Sequence, residues 1–427
     1  MLRPMDTPHE APLTAPAAEV AGTLDTEVVI VGGGLAGLTL ACALGTAGVP
    51  TVCVDRDAPS RQLEEAFDGR TTAIAHGSMR VLDGAGIWRY TADEAGPILD
   101  IRVTDQNRPL FLHYDHRDVG DDPFGYIVEN RAIRQAQFRR LAELPSLTHL
   151  APAAVASIER TDTHALVLLE DGRTVRGRLV VGADGRNSLC RRTAGIEVRG
   201  TSYNQHAIAV TIEHEEPHHG VAVELFLPAG PFAMLPMTGN RTSIVWTERA
   251  ELTPFYMKLD ETRFTAELQA RVGDWLGRVR PVGRRFSYPL SVMHADRYVD
   301  PRLALVSEAS HAIHPIAGQG LNMGIRDVAA LAEAVVDAWR LGLDVGAADV
   351  LERYQRWRRV DNVTLVAVTD ALNRLFSNDL APLRLARGMG LAAINGLPPL
   401  RPLKRLFMRH AMGVVGELPR LIRGEPI

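Results

Sequence analysis

The chain has 427 residues, with 47 basic and 51 acidic side chains and a formal net charge of −4. That length can bury a large core and is expected to divide into two or three structural units, while neither sign of charge dominates, so no nucleic-acid partner is implied. Cys42, Cys53 and Cys190 stand far apart in apolar runs, without metal-ligand spacing, and read as reduced, buried thiols of a cytoplasmic protein.

Residues 1–25 are rich in Ala, Pro and Thr, lack the apolar core of a signal peptide and read as a disordered tail. No later window approaches the ~20 apolar residues of a membrane span. From Thr26, TEVVIVGGGLAGLTLACALGTAGVPTVCVDRD has the pattern strand, glycine turn, helix, strand: Val28 to Val31, Leu35 to Thr46 and Thr51 to Val54. Short alternating segments occupy Ile101 to Val128, a helix is expected from Ala132 to Leu144, and Asp171-Gly172 has hairpin-turn chemistry between two strands. Residues 205–290 read as a mostly antiparallel sheet interrupted by a helix at Asp260 to Leu276. From Asp327 onward the pattern is helical, through Trp339 and again from Tyr354 to Phe376.

Gly32, Gly34 and Gly37 form a GxGxxG turn. A pyrophosphate needs backbone N–H groups and a helix N-terminus close by, with no side chain in the way, and this spacing supplies that. Helix–strand packing alone also produces glycine turns, so context decides. Here the turn follows a strand, and Asp55 ends the next strand, where a carboxylate reaches ribose hydroxyls. An acid there, rather than an arginine, favours an unphosphorylated ribose and so FAD or NAD.

Two later segments, VVGADGRNS and LALVSEASH, each place a polar turn directly after an apolar strand. Together with DGRTTAIAHGSMRVLDGAGIW at Asp68, VENRAIRQ at Val128, GPFAMLPM at Gly230 and HPIAGQGLNMGIRD at His314, they make a set of motifs in a family's order. The chain resembles the class A flavoprotein monooxygenases of the para-hydroxybenzoate hydroxylase fold, above all the FAD-dependent hydroxylases of ubiquinone biosynthesis (UbiH/UbiF/VisC type). The resemblance covers nearly everything after Thr26. It implies an α/β protein with a Rossmann-like FAD-binding domain built from residues 26–100, 130–200 and 295–375. An inserted, mostly antiparallel β-sheet substrate domain would come from 101–129 and 201–294, and a helical C-terminal segment from 376–427.

The resemblance also implies FAD as the cofactor. Asp55 would hold the adenosine ribose, Arg70 would lie near the flavin and pyrophosphate, and Asn130 and Arg131 would run along the cofactor. Asp184 would belong to the motif for cofactor and reductant, and Glu308 would meet the ribityl and phosphate groups. Gly320, Leu321 and Asn322 would present backbone to the flavin ring at a helix N-terminus. The implied reaction transfers one oxygen of O2 from a flavin 4a-hydroperoxide to the ring of a polyprenylated phenol. Electrons would come from NAD(P)H or a redox-protein donor, within a ubiquinone-biosynthesis protein assembly.

Read from the residues alone, Arg70 also fits a surface salt bridge, and Asn130-Arg131 a helix N-cap with its first-turn neighbour. His311 and His314 are three apart, but Pro315 breaks the helix that would bring them to one face, so no metal is expected and hydrogen bonding in the turn is their work. Phe226, Phe232, Met234 and Pro236 either line an apolar substrate site or fill the sheet's core. No catalytic base stands out. The last segment, from Pro382 to Gly424, combines Leu, Met and Phe with Arg384, Arg387, Arg401, Lys404, Arg405, Arg409, Arg420 and Arg423, a mixture that suits either an interfacial helix drawn to anionic lipid on the inner face of a membrane or to partner proteins, or a packed helix with a solvated arginine face.

Two rivals stand beside the hydroxylase. One is another enzyme of the superfamily, a prenyl reductase or a halogenase, although the halogenase signature WxWxIP is absent. The other is a flavin-binding scaffold without turnover, suggested by Ser307-Glu308, where the family has Gly-Asp. Serine takes a positive φ only with a strain of roughly 1 kcal/mol, and glutamate meets the cofactor only if it folds back or the backbone retreats.

Overall fold

The computed structural model describes residues 22–64, 68–105, 111–313, 318–376 and 401–427. Residues 1–21 of the expected tail, His314, Pro315 and the 377–400 part of the C-terminal segment lie outside the described residues.

The first sheet grows from the glycine-turn unit, whose strand Thr23–Val31, helix Leu35–Thr46 and strand Thr51–Val54 lie where the apolar pattern puts them. The first strand starts inside the expected tail, because Thr23, Leu24 and Asp25 pair with Thr174, Val175 and Arg176. Thr23–Val31 runs parallel to both Thr51–Val54 and Thr174–Gly182, and Leu303–Leu305 extends the parallel array beyond Thr174–Gly182. Val28, Val29 and Ile30 are fully buried, as strands covered on both faces must be. The Asp171-Gly172 turn does join antiparallel strands, Ala165–Leu169 and Thr174–Gly182.

The second sheet runs in the order His311–Ala312, Val279–Ala295, Val198–His214, Arg241–Arg249, Gly230–Pro236, Val221–Leu227, Asp100–Asp105, Phe111–Asp115. All its pairings are antiparallel except Val221–Leu227 with Asp100–Asp105. A third, small sheet places Gly125–Glu129 between Thr71–Ala75 and Gly96–Ile98. The expected 101–129 block is therefore split: its first two strands join the large sheet, and its last pairs with Thr71–Ala75 beside the glycine turn. Alternation marks a strand but not its partner.

Three helix starts follow from local chemistry. Asp260 caps Glu261–Val272 by accepting the Arg263 N–H at 2.8 Å. The helix Asn130–Leu141 begins two residues earlier than the pattern indicates, and its N-cap is Glu129, not Asn130. The helix Gln319–Arg340 begins well before Asp327, immediately after Gly318 in the left-handed conformation (φ 62°). Its first turn is glycine-rich, which hides it from a helical pattern. This helix packs against the glycine-turn helix and Ala348–Phe376 in the main core. Cys42, Cys53 and Cys190 are buried, and burial pushes all three thiols up, Cys42 to about 12.

Candidate active site

A cavity of about 950 Å³ opens between the glycine turn and the antiparallel sheet. One wall is the start of the glycine-turn helix, the Thr71–Ala75 strand, Ser307-Glu308 and Gly320–Asn322; the other is the sheet face.

At the turn, the glycines do different things. Gly32 has φ +109°, and a Cβ there would lie 2.4 Å from the Ala183 carbonyl oxygen; one on Gly37 would lie 2.0 Å from that of Gly32. These two glycines let strand and helix approach. Gly34 caps the helix, lines the cavity, and a Cβ on it would meet nothing within 4 Å. It leaves an open cradle at a helix N-terminus, with Arg70 and Arg186 also lining the cavity; this donor set fits a dinucleotide pyrophosphate. Asp55 stands behind the turn, 9% exposed, accepting the N–H of Gly33 on one oxygen and that of Asp57 (2.7 Å) on the other. Burial pushes its carboxyl up against those two hydrogen bonds.

The turn's neighbour is a buried carboxylate hub. Asp68 accepts from Arg70 Nε (2.8 Å) and Nη2 (3.0 Å), Asn130 Nδ2 (2.9 Å) and Arg134 Nη2 (2.9 Å). Burial opposes its charge, but the Arg70 guanidinium, then Asn130 and Arg134, hold it well below the usual carboxylate range. Asp68 thereby aims Arg70, which lies over the Tyr288 ring at 4.7 Å from its centroid. Asn130 also accepts from Thr72 Oγ1 at 2.6 Å, which ties the Asn130–Leu141 helix to the Thr71–Ala75 strand.

A second hub fixes the turn at Ser307-Glu308. Ser307 has φ 56°, the left-handed region. Asp327, fully buried, accepts its N–H at 3.1 Å, lies 2.5 Å from His311 Nε2, and accepts from Arg358 Nε and Asn362 Nδ2, each at 3.0 Å. Burial would raise its pKa, but His311, Arg358 and Asn362 bring it down to about 2. The serine Cβ has room because residue 324 is glycine: a Cβ there would lie 2.5 Å from Ser307 Oγ. Glu308 turns into the cavity wall, half exposed, with Arg186 Nε 3.3 Å from its Oε1. Asn322 Oδ1 accepts the Ala75 N–H at 2.9 Å and its Nδ2 donates to the Ala73 carbonyl at 2.7 Å, locking the helix start to the cavity strand.

The sheet side is apolar. Ala207, Ala209, Ala222, Ala233 and Ser243 form a floor of small side chains, and Glu224 is the one carboxyl on that floor among the described residues. Phe407, Met408 and Ala411 of the Arg401–Ala411 helix close one end.

The model for the family described as FAD binding domain matches residues 25–361. The ubiquinone hydroxylase UbiL of Rhodospirillum rubrum is 54% identical over 419 residues, 97% of this chain and 96% of that protein. The chain belongs to the FAD-dependent ubiquinone-biosynthesis hydroxylase family. Another relative is the 3-demethoxyubiquinol 3-hydroxylase of Escherichia coli, 33% identical over 91% of this chain and 99% of that one. The solved p-nitrophenol 4-monooxygenase PnpA of Pseudomonas putida DLL-E4 shares the fold: TM-score 0.76 at 19% identity, over 91% of this chain and 98% of that one. The protein is thus an FAD-dependent monooxygenase.

Within this hydroxylase fold, the cavity wall carries Gly34, Arg70, Asn130, Glu308, Gly320, Leu321 and Asn322. Arg131 is exposed and is not part of the wall. Asp184 turns its Oδ2 to the Cys190 N–H (3.1 Å), while its neighbours Ala183, Gly185 and Arg186 face the cavity. Of the four expected lining residues only Phe226 lies on the wall. Phe232 and Met234 pack in the separate core between the sheet and the Glu261–Val272 helix, and Pro236 is buried away from the cavity. The error is one of parity: on Gly230–Pro236 it is Ala233 and Leu235 that face the cavity, and the larger residues turn the other way. Asp68, Asp327 and Glu224 were missed. The first was legible as an acid two residues before Arg70; the other two have no local signature.

Proposed function

We propose that this protein hydroxylates the ring of a polyprenylated phenol in ubiquinone biosynthesis, consuming O2 and electrons from NAD(P)H or a redox-protein donor. The observation that carries the reading is one continuous cavity with an anion-binding helix start at one end and a floor of small apolar residues at the other. Such a floor leaves space for an aromatic ring, and its apolar side chains disfavour water.

FAD, when bound, supplies the oxygen-activating chemistry, and the chain's residues position and enclose it. The N–H groups at Gly34, Leu35 and Ala36 would hold the pyrophosphate, and Arg70, aimed by Asp68, would add positive charge. Asp55 retains lone pairs that would serve the adenosine ribose beyond those taken by the turn. Glu308 and Asn130 would hold the ribityl chain, and backbone at Gly320, Leu321 and Asn322 would meet the ring, where the helix start favours negative charge.

The Arg401–Ala411 helix supports contact with an anionic membrane surface. Leu406 and Phe407 are 52% and 47% exposed beside Arg405 and Arg409, and Phe407 also lines the cavity. No described helix is long and apolar enough to cross a membrane. A lipid-soluble substrate would then enter at this end.

The test is direct. Purified protein should show a flavin absorbance spectrum and oxidise a donor faster when a short-chain prenylphenol is added. Deletion of the gene should accumulate a quinone precursor whose missing hydroxyl names the ring position. Protein that stays colourless after addition of FAD would overturn the reading. Co-sedimentation with vesicles containing anionic phospholipid, but not with neutral vesicles, tests the membrane contact.

A further inference from the structure

We propose that Glu224 is the group that holds the phenolic hydroxyl of the substrate and takes its proton as the ring is hydroxylated; this rests on the substrate class proposed above. Glu224 sits on the Val221–Leu227 strand with Ala222 and Phe226 on its own face, and its direct cross-strand partners are Val103 and Ala233. All four are apolar and all line the cavity. Neighbour Leu225 points the other way, into the core opposite Phe232, and Val223, which also borders the cavity, packs against that core opposite Met234. The strand's alternation therefore commits the carboxyl to the cavity.

No described residue hydrogen-bonds or ion-pairs with it. The other titratable groups on the cavity walls are Tyr114 and Tyr288 on the sheet, and Arg70, Arg134, Arg186 and Glu308 on the opposite side. Arg70 and Arg134 are engaged with Asp68, and Arg186 with Glu308 and Ser291. Lys404 of the C-terminal helix lies 3.5 Å from Asp118. An enclosed carboxyl without a protein partner costs stability, so its place in an otherwise apolar floor needs a partner that arrives with the ligand.

A phenol is that partner. Burial alone pushes the Glu224 carboxyl up to about 7, between an ordinary carboxylate and a phenol. Its ionised form accepts the phenol O–H. As the ring carbon bonds to oxygen, that O–H breaks, the proton moves to Glu224 Oε, and the electron pair stays on the phenolic oxygen and enriches the ring. When the ring regains aromaticity its displaced hydrogen leaves as a proton that ends in the water formed from the second atom of O2, and Glu224 returns its own proton to the product oxygen. The oxygen atom and the electrons come from O2 and the reduced donor of the established reaction.

The experiment is single turnover of the FAD-loaded enzyme. It is reduced with dithionite without air, then mixed with oxygenated buffer and a short-chain 2-prenylphenol, and hydroxylated product and hydrogen peroxide are measured from pH 5.5 to 9. In the wild type, product formation rises with pH through a midpoint near 7. Glu224→Gln should lose at least about tenfold in product rate, lose that pH dependence and release more peroxide, with FAD affinity unchanged. Glu224→Asp, which keeps a carboxylate, should recover part of the rate and the pH dependence. Product at the wild-type rate from the Gln variant, or the same pH dependence, overturns the assignment while leaving the substrate class standing. A wild type that takes up FAD but hydroxylates no prenylphenol overturns both.

Discussion

The two ends of the cavity are built on opposite rules. At the glycine-turn end, charge is dense and paired: Asp68 accepts five hydrogen bonds from three residues, and Asp327 is met by Ser307, His311, Arg358 and Asn362. At the sheet end, the floor is mainly apolar, with several alanines among larger side chains, and has one carboxyl that has no partner among the described residues. Satisfied buried networks hold geometry rigidly, whereas small side chains and a lone acid leave space and reactivity for a ligand. One end is finished by the fold, and the other by what binds.

The largest effect expected from breaking this contrast is at the turn. Gly37→Val would drive a side chain into the Gly32 carbonyl and should abolish FAD uptake, read as the absence of flavin absorbance after reconstitution. Next is Asp327→Asn, which removes the buried carboxylate from Arg358 and His311 and leaves Arg358, among the described residues, only its ion pair with Asp361; it should cost about 3 kcal/mol in denaturant unfolding. The pH dependence follows from the sign of the shift. The folded carboxyl sits at about 2, below the unfolded value near ~4, so its contribution of roughly 2–3 kcal/mol is present above pH ~4 and lost as pH falls towards 2. The variant should lack that part of the acid sensitivity.

Adjacent positions on one strand sharpen the comparison further. Phe232→Ala empties the core behind the sheet and should cost about 3–5 kcal/mol of stability. Ala233→Leu, one residue away, projects into the cavity and should raise the KM for prenylphenol with little change in stability or FAD affinity. Equal stability losses for both would mean that the faces are misassigned. The smallest effect is Glu308→Ala, expected to weaken FAD affinity roughly two- to fivefold, because half-exposed charge contacts contribute under about 1 kcal/mol. Unchanged affinity in a titration of the apoprotein would remove Glu308 from the cofactor's contacts.

The oddity of Ser307-Glu308 shows how local and distant causes divide. From the sequence, serine at a turn that wants glycine looks like damage to a flavin site and motivates a scaffold without turnover. In the fold, Gly324 one helix away makes the room and Asp327 holds the strained backbone, so the turn is supported rather than broken.

The sequence by itself determined the glycine-turn unit, apart from the start of its first strand at Thr23, and the family to which the chain belongs. It did so because a short strand, a tight turn and a buried helix are decided by neighbours close along the chain, as are the motifs that carry the likeness. The tertiary structure alone decided which strands pair, as with Gly125–Glu129, and which face of Gly230–Pro236 meets the cavity. It alone brought Asp327 beneath Ser307 and left Glu224 without a partner among the described residues. Pairing, parity and burial are set by packing between segments that are separate along the chain, and a one-residue choice of face exchanges core for cavity.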